Sequence, residues 1–266
     1  MTQALEDTVI VAGADRPTSQ AGLRIERSPR WVRALFAGEP LANSKRVLLV
    51  FEPKRLPVYY FPTQDVRMDL LRPTAHSADT PSSAIARWTL EHRGRTVDNV
   101  GWSYREPDAD HAPLKDHIAF YWNKLDAWFE EDDEVYVHPR DPYHRVDVLQ
   151  SSREVRVVVE GQEVARSRRP RLLFETGLPT RYYLPKLDVR LDLLEPSETV
   201  TQCPYKGKAS YWSVRLGDKL VKDIAWGYPF PIPECPKVEN HVAFYNEKLD
   251  IYVDGELQER PKTQWS

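Results

Sequence analysis

YYFPTQDVRMDLL at residues 59–71 returns as YYLPKLDVRLDLL at residues 182–194. Tyr59 and Tyr60 answer Tyr182 and Tyr183, and Asp65, Arg67 and Asp69 answer Asp188, Arg190 and Asp192. The offset is about 123 positions, and a period of that length decides the architecture. Outward from this core, Phe51 and Glu52 answer Phe174 and Glu175, and HIAFYWNKLD (117–126) answers HVAFYNEKLD (241–250), the offset having grown by one through a small insertion. A unit this long is a domain rather than a solenoid repeat, so the chain reads as a duplicated pair, each copy able to bury its own core. The boundaries expected are a tail over 1–22, a first repeat over 23–138, a linker over 139–146 that contains PRDPYH, and a second repeat over 147–260.

Composition narrows the partners. The 266 residues are 41% hydrophobic and carry 22 prolines against 11 glycines, a profile of short segments broken by turns. A formal net charge of -3 leaves no electrostatic footprint for nucleic acid or an anionic membrane surface. No stretch approaches the roughly 20 apolar residues of a membrane helix, and the apolar run Val9–Ala14 lacks a basic stretch before it, so a cytoplasmic location is expected. Cys203 and Cys235 both fall in the second repeat with no counterparts in the first, which supports neither a disulfide framework nor a zinc site. No cofactor is implied.

Within a repeat, Val155–Val159 and Gln162–Ala165 flank Glu160-Gly161, and Val32–Phe36 and Glu39–Ala42 flank Ala37-Gly38, both hairpin signatures. Alternation on both sides of Gly217-Asp218, over 209–216 and 219–226, predicts a longer hairpin, matched by 85–92 and 95–102 around Arg93-Gly94. LDVRLDLL reads as helical or turn-like, ended before Pro196. In VENHVAFYNEKLD the spacing of Val238, Val242, Tyr245 and Leu249 predicts one short amphipathic helix per repeat. The fold class is therefore mainly β, dominated by antiparallel hairpins.

The two copies differ most at Cys203-Pro204-Tyr205-Lys206-Gly207, where the first repeat has Thr80-Pro81-Ser82-Ser83-Ala84. A lysine beside a thiol favours the thiolate, so Cys203 and Lys206 are candidate catalytic groups, although a cysteine beside a proline also serves as a small buried side chain. His241, matched by His117, is either a general base or a core histidine tying its element to the sheet. Tyr205, Arg190, Tyr182, Trp226, Tyr228 and Tyr245 would line a concave site for a planar or anionic small ligand, or simply fill the core. The histidines of the first half and linker lack metal-ligand spacing, and Walker A, GxGxxG and GxSxG motifs are absent, so no metal site is expected.

VRVVVEGQEVARSRRPRLLFETGLPTRYYLPKLDVRLDLL (155–194), TQCPYKGKASYWSVRLGDKLVKDIAWGYP (201–229) and HVAFYNEKLD closely resemble the family of unknown function DUF427. The likeness covers residues 147–258, and residues 24–136 look like a diverged second copy. What the resemblance implies is a β-tent, Mss4-like architecture of small coiled antiparallel sheets around a groove, and a nucleotidyltransferase-like label that no triphosphate motif here supports. Three readings follow: a small-molecule pocket in the second repeat with thiol- or lysine-assisted chemistry, a non-catalytic binding or assembly module in which the two repeats pack together, and a nucleotidyltransferase.

Overall fold

The computed structural model describes residues 22–53, 55–74 and 84–266. The expected tail over 1–22, Gly22 apart, and the Thr80–Ala84 peptide, Ala84 apart, lie outside them. The chain divides into two units, 1–134 and 135–266. The PRDPYH stretch belongs to the second, where Asp141 N–H donates to the Tyr205 hydroxyl at 2.9 Å.

Among the described residues each unit holds a seven-stranded and a four-stranded antiparallel sheet of the same order. In the second unit the larger sheet runs Val146–Gln150, Arg171–Glu175, Arg181–Pro185, His241–Phe244, Lys219–Gly227, Gly207–Leu216, Leu194–Cys203. Its smaller sheet runs Gln162–Ser167, Val155–Val159, Asp250–Val253, Glu256–Leu257. The first unit repeats this plan with Val58–Pro62 beside His117–Phe120 at the centre and the hairpin Val32–Phe36 and Glu39–Ser44 in the small sheet. The expected hairpins form where placed: Glu160 and Gly161, with φ of 49° and 82°, and Ala37 and Gly38, with 50° and 79°, supply the left-handed pairs that a two-residue turn needs.

Alternation sends Val155, Val157 and Val159 from the small sheet against Leu184, Val214, Ile224, Val242 and Phe244 of the large one. Each such side chain contributes about 1.5–3 kcal/mol of burial. The opposite face of the large sheet is covered by its own chain: Cys235 and Val238, from the proline-rich bend after Tyr228, sit on Leu173, Tyr183, Tyr211, Trp226 and Tyr228. In both long hairpins the register shifts once, between Trp212 and Val214 and between Trp88 and Leu90, opposite Asp223 and Asn99, whose φ values are 50° and 51°. These are matching β-bulges.

Two expectations are corrected. VENHVAFYNEKLD is not a helix: Pro236–Val238 is one 3-10 turn, Asn240 turns left-handed at φ 59°, and His241–Phe244 is a central strand. The i, i+4 pattern misleads because this strand is buried on both faces, Val242 and Ala243 each at 0% exposure, so no alternation marks it. LDVRLDLL does form 3-10 turns, Lys186–Asp188 and Leu191–Leu193, but Pro196 does not stop the chain. Leu194–Cys203 runs through Pro196 as an edge strand, and its register shifts between Pro196 and Val200, where a proline is tolerated.

Candidate functional site

The turn Cys203–Gly207 closes the hairpin between the last two strands of the second unit's large sheet. Lys206 O accepts the Ile232 N–H at 3.1 Å, which locks the turn to the proline-rich bend. Gly207 lies at φ +104°, and a Cβ there would stand 3.3 Å from both Ile232 N and Phe230 O. Only glycine fits this backbone.

So held, Lys206 points inward. Its ammonium donates to both oxygens of Glu175, at 2.6 Å each, and the two side chains are 9% and 6% exposed. Glu175 ends its strand, and its Oε1 also meets His144 Nε2 at 2.9 Å. The His144 ring, 20% exposed, stacks on Tyr205 with centroids 4.2 Å apart and planes 19° off parallel. Burial pushes the Tyr205 phenol up to about 12, so it stays protonated while its oxygen accepts the Asp141 N–H. A carboxylate facing Nε2 favours the tautomer protonated on that nitrogen, and Nδ1 of His144 makes no hydrogen bond among the described residues. A buried ion pair carries a desolvation cost that only good geometry offsets. Here one carboxylate satisfies an ammonium and orients an imidazole at the same time.

A comparison with family models finds the same twofold division. The model described as Domain of unknown function (DUF427) matches residues 24–131 and again 147–255. The chain belongs to the DUF427 family. No curated protein matches it.

Within the second DUF427 unit the residues singled out by sequence separate. Cys203, half-buried, Trp226 and Tyr228 share one apolar cluster with Cys235, beside the Tyr205–Lys206 turn. Both cysteines are free thiols, and burial pushes Cys235 up to about 11 although Lys206 pulls the other way. Trp226 and Tyr228 are 7% and 6% exposed: they are core, with Trp226 Nε1 donating to Tyr183 Oη at 3.3 Å and Tyr245 packed on the Trp226 ring at 4.6 Å. Tyr182 packs with the other core, on the opposite face. Arg190 pairs with Asp192 at 2.6 Å and lines a separate open depression with Gly217 and Lys219. His241 begins the central strand, and its Nδ1 donates to Glu239 O at 2.6 Å.

Neither His144 nor Glu175 is among the candidate site residues read from sequence. His144 falls in a stretch that reads as linker, and Glu175 reads as a strand-end carboxylate that either caps a turn or faces a pocket. The available signal was that Glu175 recurs as Glu52 while a lysine appears only in the second copy. In the first unit Glu52 pairs instead with the exposed Arg55, at 2.5 Å. Among the described residues no group of three His, Cys, Asp or Glu side chains is placed to hold a metal ion.

Proposed function

We propose that the second DUF427 unit binds a small polar molecule at the Tyr205–His144 edge of this cluster, and that His144 exchanges a proton with it. The observation that carries the reading is the shared Glu175 carboxylate, which holds the Lys206 ammonium at 2.6 Å and His144 Nε2 at 2.9 Å. A carboxylate behind an imidazole fixes its tautomer and stabilises the imidazolium that forms when Nδ1 takes a proton. Lys206 then holds both Glu175 oxygens in place behind the imidazole. This assignment differs from the thiol and lysine chemistry suggested by sequence in giving the Lys206 ammonium to Glu175. The groove of a β-tent fold and a cytoplasmic setting are compatible parts of the same reading.

A second reading, a binding module without catalysis, draws on Phe230. Its side chain is 88% exposed beside the Gly207 turn, where an apolar partner could cover it. The two readings separate in a thermal-shift screen of nucleotides, with and without magnesium, and of small metabolites, the hits being repeated on His144→Gln and Phe230→Ser. Loss of the shift in His144→Gln alone is the expected result. Hits that survive in His144→Gln would sink the proton-exchange reading, and a shift confined to triphosphate with magnesium would redirect it to nucleotidyl transfer.

A further inference from the structure

Arg171 stands apart from the other arginines of residues 135–266. Arg140, Arg145, Arg153, Arg156, Arg166, Arg168, Arg169, Arg181, Arg190, Arg215 and Arg260 all have a carboxylate within ion-pair distance. Among the described residues Arg171 has none, and its Nε is buried without an acceptor. A buried donor left unmet is costly, so a guanidinium in this state is a ready anion partner.

The sheet places a histidine near it. Arg171 is opposite Tyr183, Tyr183 is opposite Ala243, and His241 lies two residues from Ala243, opposite Pro185. Side chains two apart on a strand share a face, so Arg171 and His241 project from the same side. The bond from His241 Nδ1 to Glu239 O fixes the proton on that nitrogen and leaves Nε2 as an acceptor. Burial favours the neutral ring; the bond to Glu239 O opposes it, Arg171 and Arg169 add to it, and Asp188 opposes it more weakly. Arg169 is itself held by Asp188 at 3.0 Å. The first unit has the same histidine with the same bond, His117 Nδ1 to Lys115 O at 2.7 Å, but Leu48 occupies the place of Arg171.

We propose that Arg171 and His241 form a subsite for a phosphate-type oxyanion that still carries a proton. The guanidinium fork takes the anionic oxygens, and His241 Nε2 accepts the P–OH hydrogen. An oxyanion of the same shape without a proton, such as sulfate, satisfies the arginine and leaves Nε2 facing a lone pair. The subsite is independent of the His144 cluster. Glu175 lies at the other end of the Arg171–Glu175 strand, on the same face, with the buried Leu173 between them.

The test titrates the full chain at about pH 6, near the second pKa of a phosphoryl group, with inorganic phosphate, glycerol phosphate and sulfate at matched ionic strength. Binding is read by calorimetry and by the imidazole NMR signals of His241. Inorganic phosphate is expected to bind at least about tenfold more tightly than sulfate and to move the His241 signals, and Arg171→Leu, the first unit's own residue, to weaken it about tenfold or more, as one bidentate contact of about 1.4 kcal/mol requires. Glycerol phosphate binding as tightly as phosphate assigns the site to the phosphoryl group of a larger molecule, and tighter binding of free phosphate assigns it to the ion. Arg171→Gln serves as a second variant should Arg171→Leu fold poorly. Equal affinity for phosphate and sulfate, full affinity in the variants, unmoved His241 signals or no phosphate binding would each overturn the proposal.

Discussion

Lys206 is the residue on which sequence and structure most usefully disagree. From sequence it is a free cation beside a thiol; in the fold it is a buried partner of Glu175, with both carboxylate oxygens at 2.6 Å. Removing one member of such a pair strands the other charge, so Lys206→Met is expected to cost about 3–5 kcal/mol. Replacing both, Lys206→Met with Glu175→Gln, should recover part of that loss, because the stranded charge is gone. Urea unfolding midpoints at unchanged slope measure both. A single variant as stable as the parent would mean that the pair is open to water.

At the scale of elements, hairpins were legible because their turns carry the chemistry the backbone requires, as at Glu160-Gly161 and Ala37-Gly38. The strand His241–Phe244 was not, since a strand buried on both faces has no polar side to reveal its period. The overlooked cue was Asn240, matched by Asp116, each at φ 59°. Both are residue types that tolerate a left-handed backbone, and both break a helix directly before the histidine. Asn240→Gly is therefore expected to leave stability almost unchanged, whereas Asn240→Val should cost about 1–2 kcal/mol, measurable by thermal unfolding. Equal effects of the two would show that the side chain of Asn240, rather than its backbone angle, matters. The candidate site was only half legible for a related reason: Tyr205 and Lys206 stand in one distinctive peptide, but His144 and Glu175 reach them from about 60 and 30 residues away, a separation that spacing rules do not capture.

Over the whole molecule, the same plan folds twice and is equipped differently. Glu52 and Glu175 hold matching positions, yet Glu52 faces an arginine that is 73% exposed and Glu175 a lysine that is 9% exposed. Surface pairs contribute about 0–1 kcal/mol, so Glu52→Gln should leave the unfolding midpoint near that of the parent, while Glu175→Gln lowers it by several kcal/mol equivalents, on the order of the buried-pair cost. Similar losses from both would contradict the contrast between the copies. The bulges opposite Asp223 and Asn99 carry a different kind of information. Each interrupts its hairpin at the same register and with nearly the same left-handed angle, although the residues differ. A kink kept through a change of side chain was inherited from the single ancestral repeat, which dates the curvature of the sheet before the copies parted. Arg171 against Leu48, and the Lys206 turn against its serine-rich counterpart, record what happened afterwards: descent preserved how each copy bends and let go of what each copy holds.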